Sequence, residues 1–126
     1  MKVKCGTDII EIDRIKESIE NLGERFLQKV FTQKEIEYCE SKKAQKYQHY
    51  AARFAAKEAV FKAISESLED KYSLGWCDYE ILNNEAGKPI VKITGIDLGK
   101  IEDIDLSISH CKQYAMATAV AVYKDW

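Results

Sequence analysis

Residues Ala44 to Leu68 read A-Q-K-Y-Q-H-Y-A-A-R-F-A-A-K-E-A-V-F-K-A-I-S-E-S-L and predict one long helix. At about 100° per residue, small and aliphatic side chains fill one broad arc of this helix. The arc consists of Ala52, Ala55, Ala56, Ala59, Val60, Ala63 and Ile64. Phe54 and Phe61 form a second apolar stripe on the far side. A helix that is apolar on two sides is expected to be covered on both, by its own sheet and by something else.

Four charged side chains border these apolar surfaces. Glu58 and Lys62 lie in the slot between the arc and the stripe, whereas Arg53 and Lys57 flank the stripe on its other edge. A carboxylate between two buried surfaces is unfavourable unless it is paired or binds a metal. The alternative is an ordinary glutamate–lysine helix pair, which contributes only about 0.3–0.5 kcal/mol. The spacing leaves both interpretations open.

The first predicted strand, Val3 to Ile12, contains a second unusual carboxylate. Gly6 within a strand indicates a bulge or the close approach of another backbone. Asp8 directly precedes Ile9 and Ile10, and an aspartate in an apolar strand is out of place unless it has a partner. A solvent-facing aspartate on an edge strand is the alternative interpretation.

The other elements follow from helix caps, alternation and turn residues. Thr32 to Glu35 is a capping box that opens a helix through about Ser41. Further predictions are helical segments at 13–21 (stopping at Gly23) and 24–31, strands at 76–82, 89–94 and 104–109, a turn at 83–88, and a closing hairpin strand at 114–123. This order predicts an α+β fold, with an antiparallel sheet packed against one long and several short helices, in a single domain over residues 1–126.

A third polar feature lies where a late strand ends. Ser107-Ile108-Ser109-His110 runs into a tight turn, and strand ends often carry binding residues. A surface histidine at a turn is the alternative for His110, and His49 is taken as an ordinary surface residue. Because neighbouring residues of a strand point to opposite faces, a catalytic dyad of His110 and Cys111 is not expected.

Composition excludes several classes of protein. The chain has 126 residues, 46% hydrophobic and 32% charged, and a net charge of -2, which argues against a general nucleic-acid binder. It contains no apolar run of the ~20 residues that span a membrane and no secretory signal, so a cytoplasmic protein is expected. Its four cysteines lack zinc or redox spacing and are expected to be small, buried or half-buried thiols.

Five segments in order resemble one family, the small bacterial 4′-phosphopantetheinyl transferases of the holo-[acyl-carrier-protein] synthase type. The family opening G-x-D-I-x-E-x-x-R-I is matched by Gly6 to Ile15, and the signature R-F-A-A-K-E-A-x-x-K-A by Arg53 to Ala63. Phe31 to Glu35, Gly87-Lys88-Pro89 and Ser107 to His110 follow in family order. The resemblance runs the length of the chain.

The resemblance implies the transfer of 4′-phosphopantetheine from coenzyme A to a serine of acyl carrier protein, releasing adenosine 3′,5′-bisphosphate. It implies that Asp8 and Glu58 bind Mg²⁺, a cation that takes one or two carboxylates together with water and phosphates. Lys62 would stabilise charge at the pyrophosphate, so that Asp8, Glu58 and Lys62 are the catalytic residues. The general base would be Glu58 or a water held by the metal.

The resemblance also assigns binding residues. Arg53 and His110 would bind the nucleotide phosphates, including the 3′-phosphate, and Lys88 and Pro89 would contact coenzyme A with Lys62. The chain departs from the family at Ile64 to Leu68, which replaces a glycine-rich stretch, and at Cys111, which replaces a threonine.

The resemblance further implies a homotrimer with active sites between subunits, a cytoplasmic location and a role in fatty acid biosynthesis. Acyl carrier proteins are acidic, and the cluster of Arg14, Lys16, Arg25 and Lys29 is placed to dock them, with Arg14 and Arg25 as the principal contacts. Glu17, Glu20 and Glu24 make an ordinary solvated helix the alternative.

Two other functions use the same residues. A non-catalytic module would hold a nucleotide or a carrier protein without chemistry, and the presence of Asp8, Glu58 and Lys62 argues against lost activity. A metal-dependent pyrophosphate hydrolase would use the same carboxylates. The mass of the carrier protein after reaction separates transfer from the other two functions, because only transfer adds a group to it.

Overall fold

The computed structural model describes residues 1–70, 72–95 and 98–124. The helices in these ranges are α1 (Ile12–Leu22), α2 (Glu24–Val30), α3 (Gln33–Glu40) and α4 (Lys46–Ile64). The strands are β1 (Lys2–Glu11), β2 (Tyr79–Asn83), β3 (Pro89–Ile93), β4 (Ile101–His110) and β5 (Tyr114–Tyr123). Short 3₁₀ turns lie at Lys43–Gln45, Ser65–Ser67 and Trp76–Asp78. None of these helices is both long enough and apolar enough to cross a membrane.

The strands form two antiparallel sheets. β1, β5 and β4 form a three-stranded sheet in that order, so β1 and β4 are its edges, and β2 pairs with β3 in a separate ribbon. The predicted α+β class and the antiparallel pairing are confirmed. Among the described residues the strands form two sheets, because β3 and β4 are not paired.

The long helix α4 packs across one face of the three-stranded sheet. The face of β5 toward α4 consists mainly of alanines, namely Ala115, Ala117, Ala119 and Ala121. Such small side chains let a helix lie close to a sheet. Val60 and Ile64 are fully buried in the same core, and each burial contributes roughly 1.5–3 kcal/mol.

The helices α1 to α3 pack against α4 around a second core. Their buried side chains include Ile12, Ile15, Ile19, Leu27, Val30 and Phe31. On the stripe side, Phe54 stacks on Trp76 with ring centroids 4.8 Å apart. The predicted cover on both sides of α4 is therefore found, and the second cover comes from the same chain.

The helix caps explain where the short helices begin and end. The capping box is confirmed, because the Thr32 side chain accepts from the backbone N–H of Glu35 while the Glu35 carboxylate accepts from that of Thr32. Gly23 ends α1 at φ 58°, and its N–H donates to the carbonyl of Ile19.

Three predicted boundaries are wrong, and one of them is the start of β4, which was expected at 104 but lies at Ile101. The long helix was expected over 44–68, but α4 ends at Ile64 and a 3₁₀ turn follows, where the hydroxyl of Ser67 donates to the carbonyl of Ile64 at 2.7 Å. The strand expected over 76–82 begins only at Tyr79. Asp78 accepts from the backbone N–H of Gly75 at 2.8 Å and closes a turn before the strand.

The cysteines differ from the expectation of buried or half-buried thiols. Cys39 is fully buried, but Cys5, Cys77 and Cys111 are exposed, and all four are free thiols. Cys111 lies in the turn after His110, so the two residues do not share a strand face as a dyad would require.

Candidate active site

Gly6 is the point of closest contact between β1 and α4. A Cβ at this position would collide with the carbonyl oxygen of Ala59 and lie 2.8 Å from both the Ala63 nitrogen and the Lys62 Cβ. The predicted close approach of another backbone at Gly6 is confirmed. Because side chains alternate along a strand, Asp8 points to the same face as Gly6, toward α4.

Asp8 and Lys62 meet at this junction. Lys62 Nζ lies 2.9 Å from the carbonyl oxygen of Thr7 and 3.4 Å from Asp8 Oδ1. The Lys62 side chain is 48% exposed and the Asp8 side chain 18%, so the pair opens to solvent on the lysine side. Asp8 on the edge strand thus has a partner instead of facing water alone.

Glu58 completes this group one helical turn before Lys62. Burial and then the negative charge of Asp8 raise the pKa of Glu58, and Lys62 opposes that shift. The carboxylates of Asp8 and Glu58 therefore repel each other, and the exposed ammonium of Lys62 offsets part of their negative charge. A hard cation would relieve this repulsion. No group of three or more His, Cys, Asp or Glu in the described ranges could hold a metal, so such an ion would take its remaining ligands from substrate and water.

A largely apolar cavity opens beside Glu58. Its volume is about 340 Å³. The lining residues are Lys57, Glu58, Phe61, Tyr72, Leu74, Gly75, Trp76 and Tyr79. Aromatic walls next to a charged rim suit a slender organic chain attached to a charged group.

Arg53 belongs to a second polar group. It is only 3% exposed, and its Nη2 donates to Asn83 Oδ1 at 2.7 Å, while Asn83 Nδ2 donates to the carbonyl of Gly87 at 3.0 Å. Its guanidinium lies 4.0 Å from the centroid of the Tyr38 ring. The buried Nε of Arg53 has no hydrogen-bond partner among the described residues. This arrangement leaves one buried donor for an anion.

The two histidines lie together in this second group. The ring of His49 on α4 is 6.1 Å from that of His110 at the end of β4, in an edge-to-face arrangement. His49 was predicted to be an ordinary surface residue, but it is half-buried and contacts the same ring as Arg53, with its centroid 5.6 Å from that of Tyr38. The sequence carries no spacing signal for this contact, because it joins separate elements.

Pro89 is the first residue of β3 and Lys88 directly precedes it, next to the turn that Asn83 and Gly87 stabilise. Lys88 Nζ donates to the carbonyl of Leu106 at 2.9 Å and pairs with Asp105 at 3.0 Å. Asp105 and Leu106 belong to β4, the strand that ends at His110. These contacts place the turn between Arg53, which donates to Asn83, and the strand β4.

The predicted site residues thus fall into two groups on different sides of α4. Asp8, Glu58 and Lys62 lie toward β1, whereas Arg53 and His110 lie toward β2 and β4. Arg53 and Glu58 are five residues apart, so they point about 140° apart around the helix. One chain does not bring all its predicted site residues to one cleft.

Arg14 on α1 and Arg25 on α2 are both exposed. These helices follow β1 directly, so the basic side chains lie on the surface that continues from the Asp8 strand.

A buried ion pair directly beside Glu58 was not predicted from the sequence. Lys57 was expected at the edge of the aromatic stripe, but its side chain is fully buried and its Nζ lies 2.7 Å from Glu35 Oε1. Lys57 also donates to the carbonyls of Val30 and Trp76, and Glu35 accepts from the N–H of Ile81 at 2.8 Å. The pair joins four segments around α4.

Glu35 and Lys57 are 22 residues apart, and no local pattern links them. The capping box was the only signal at Glu35. It accounts for one of the interactions that this carboxylate makes.

The chain matches the family model described as the 4′-phosphopantetheinyl transferase superfamily over residues 4–119. It is 51% identical over 125 residues to the holo-[acyl-carrier-protein] synthase of Ruminiclostridium cellulolyticum, covering 95% of this chain and 92% of that protein.

The fold matches solved structures of the same kind. The coenzyme A complex of an acyl-carrier-protein synthase from Chronobacterium ammoniagenes superposes with a TM-score of 0.83 at 25% identity, over 98% of this chain and 99% of that one. A Bacillus anthracis holo-(acyl-carrier-protein) synthase in complex with coenzyme A (3′,5′-ADP) gives 0.77 at 29% identity, over 96% of both chains. Sequence and fold agree, and the chain belongs to the 4′-phosphopantetheinyl transferase superfamily.

Proposed function

We propose that this chain is a holo-[acyl-carrier-protein] synthase, which transfers 4′-phosphopantetheine from coenzyme A to a serine of apo-acyl carrier protein and releases adenosine 3′,5′-bisphosphate. The observation that carries the proposal is the meeting of Asp8, Glu58 and Lys62 at the junction of β1 and α4. The names of the relatives and the coenzyme A complexes support it. The holo-carrier protein would serve fatty acid biosynthesis in the cytoplasm.

Asp8 and Glu58 would hold Mg²⁺. The support is the raised pKa of Glu58, whose second cause is the Asp8 charge, because it indicates two carboxylates close enough to repel. Two carboxylates suit an ion that takes its other ligands from phosphates and water. When bound, Mg²⁺ would offset negative charge on the pyrophosphate.

Lys62 and Glu58 would act on the reacting groups. The serine hydroxyl attacks the β-phosphorus, a P–O bond forms to the serine oxygen, and the bond to the bridging oxygen breaks, leaving adenosine 3′,5′-bisphosphate. Lys62, half-exposed and a helical turn from Glu58, is placed to neutralise charge on these phosphate oxygens. Glu58, one helical turn before Lys62 on α4, would accept the serine proton.

Arg53 and His110 would bind the nucleotide phosphates, with Lys88 and Pro89 beside the nucleotide. The orphan buried Nε of Arg53 and the histidine contact next to it support an anion site on this side of α4. Lys88 is already paired with Asp105, so its contribution requires exchange of that partner.

Active sites between the subunits of a homotrimer would unite the two groups. The separation of Asp8, Glu58 and Lys62 from Arg53 and His110 supports this, since a neighbouring copy can supply the missing half. The sheet face away from α4 offers a contact surface. Its exposed apolar side chains are Val3 at 55%, Ile9 at 64%, Tyr114 at 43% and Met116 at 40%. Because α4 is covered on both sides by its own chain, this sheet face, and not α4, is the apolar surface that supports association.

Arg14 and Arg25 would dock the acidic carrier protein. Their exposure and their position directly after the Asp8 strand support this. Exposed charges act mainly on encounter and are screened by salt, so the KM for the carrier protein should rise with ionic strength. A KM for the carrier protein that does not depend on salt would contradict this docking role.

Release of adenosine 3′,5′-bisphosphate tests the proposed reaction. A transferase releases it from coenzyme A only when apo-carrier protein is present. A pyrophosphate hydrolase would release it without carrier protein, and a binding module would release none. Chromatography of the nucleotides with apo-carrier protein, with a carrier protein lacking the acceptor serine, and without carrier protein separates the three functions.

A further inference from the structure

Several basic side chains from separate elements surround the ring of Tyr38 on α3. Lys42 Nζ lies 4.8 Å and the Arg53 guanidinium carbon 4.0 Å from its centroid. The His49 ring lies 5.6 Å from the same centroid, and the His110 ring lies 6.1 Å from His49. We refer to Lys42, His49, Arg53 and His110 as the basic cluster.

Within the described parts of the chain, no ion pair involves any member of the basic cluster. Glu40 is near in sequence, but its carboxylate accepts from the hydroxyl of Tyr50 at 2.7 Å and pairs with Lys46 at 3.4 Å. Arg53 Nε is buried and has no hydrogen-bond partner among the residues that the structure describes. Basic side chains that have no carboxylate partner among the described residues, one of them with an orphan donor, fit an anionic ligand.

His49 differs from Lys42 and Arg53 because it can be neutral near physiological pH. Burial and then the charges of Arg53, Lys42 and His110 lower the pKa of His49. The groups that face it from α3, α4, the loop after α3 and β4 are Tyr38, Arg53, Lys42 and His110, and no carboxylate is among the causes of the shift. A bound anion would oppose these effects and raise the pKa of His49, so that the imidazole takes up a proton.

We propose that His49 is a proton-carrying contact for the 3′-phosphate of coenzyme A, so that this phosphate binds together with a proton. The proposal rests on the proposed function, in which Arg53 and His110 bind the nucleotide phosphates. His49 precedes Arg53 by one helical turn on α4 and adjoins His110, so it faces whatever both residues hold. His49 thereby favours coenzyme A over dephospho-coenzyme A, which lacks the 3′-phosphate.

The direction of the pH effect follows from linkage. A proton taken up on binding makes binding tighter as pH falls, and the gain is lost as pH rises through the pKa that His49 has in the complex. The phosphate itself gains a proton near about pH 6, which weakens binding on the acid side. Protonation of the phosphate affects the wild-type protein and a variant that lacks His49 alike, so the difference between the two reports on His49.

The direct test is an NMR titration of the imidazole signals. The chain has two histidines, so the signal missing from His49→Phe identifies His49 in the wild-type protein. Saturation with adenosine 3′,5′-bisphosphate is expected to raise the pKa of His49 by about one unit or more, and adenosine 5′-monophosphate is expected to have less effect. An unchanged His49 pKa with the 3′,5′-bisphosphate bound would overturn the proposal, and the titration itself is made on the wild-type protein.

The kinetic test uses His49→Phe, which keeps an aromatic ring against Tyr38. Between about pH 6 and 8 the wild-type KM for coenzyme A is expected to rise with pH relative to the variant, while kcat stays similar. With dephospho-coenzyme A, wild type and variant should show the same pH profile. Parallel KM profiles with coenzyme A would overturn the role of His49. Absence of transfer by the wild-type chain would instead refute the proposed function, and the NMR shift would still decide the anion site.

Discussion

Gly6 lies directly against the backbone of Ala59, where β1 crosses α4. A side chain on Gly6 would overlap the carbonyl oxygen of Ala59, and the Ala63 nitrogen would be 2.8 Å away. Backbone cannot move aside as a flexible side chain can. This contact fixes the distance between the Asp8 strand and the helix that carries Glu58 and Lys62.

Gly6→Ala is therefore expected to separate β1 from α4 and to reduce both stability and activity. Overpacking of this kind costs about 1–3 kcal/mol of unfolding free energy. Because Asp8 is two residues away, the transfer rate should fall more than the folded fraction does. Denaturant unfolding and initial transfer rates measure the two effects. Cys5→Ala, on the opposite face of β1, is the control, and wild-type rate and stability in Gly6→Ala would refute the contact.

Asp8→Asn and Glu58→Gln are expected to keep the fold and to lower the transfer rate by roughly 10²–10³-fold. The raised pKa of Glu58 means that its charged form is less favourable in the folded protein than in the unfolded chain. This lowers the free energy of unfolding at pH values above the pKa that Glu58 has in the folded protein. In chelator at neutral pH, Glu58→Gln should therefore melt no lower than wild type. Mg²⁺ should raise the melting temperature of wild type and not of either variant.

The matched control is Glu37→Gln, a neutralised and exposed carboxylate on α3. It should respond to Mg²⁺ as wild type does. Near-normal turnover of Asp8→Asn or Glu58→Gln at saturating Mg²⁺ would contradict the assignment of Asp8 and Glu58 as metal ligands.

Lys62→Ala removes a cation that contacts Asp8 and the carbonyl of Thr7. If Lys62 neutralises phosphate charge in the transition state, kcat should fall by an amount equivalent to about 2–4 kcal/mol. Lys62→Arg should recover part of the rate, and Lys92→Ala, on the exposed ribbon, should have little effect. If Lys62→Ala loses only stability and kcat is unchanged, Lys62 is merely the partner of the two carboxylates.

Local patterns predicted the fold because most elements have local signals. The periodicity of α4, the Thr32 capping box and the Gly23 stop are properties of neighbouring residues, and all three are confirmed. The C-terminal end of α4 and the start of β2 were misjudged because side-chain hydrogen bonds of Ser67 and Asp78 compete with regular structure.

The part of the candidate site that could be predicted consists of residues that are unusual in their local sequence. A glycine and an aspartate within an apolar strand, and a glutamate between two apolar surfaces, indicated Gly6, Asp8 and Glu58. The burial of Lys57 against Glu35 and the contact of His49 with His110 depend on how distant segments pack. No spacing in the sequence encodes either contact.

Mixed oligomers test whether active sites form between copies. Glu58→Gln removes a residue of one group and His110→Ala a residue of the other, so each homo-oligomer is expected to be impaired. Co-expression should restore activity well above the sum of the two, because some interfaces then join two intact halves. Light scattering should show trimers, and Ile9→Glu on the apolar sheet face should dissociate them. An active monomer, or absence of recovery in verified mixed oligomers, would contradict shared sites.

The most direct measurement is the intact mass of apo-acyl carrier protein after incubation with this chain, coenzyme A and Mg²⁺. The predicted result is a gain of one phosphopantetheine group per carrier protein, located on the acceptor serine by peptide mapping. The gain should be absent with a carrier protein that lacks this serine and should be strongly slowed with Glu58→Gln. A carrier protein of unchanged mass, with coenzyme A either intact or cleaved, would contradict the assignment of this chain as a phosphopantetheinyl transferase.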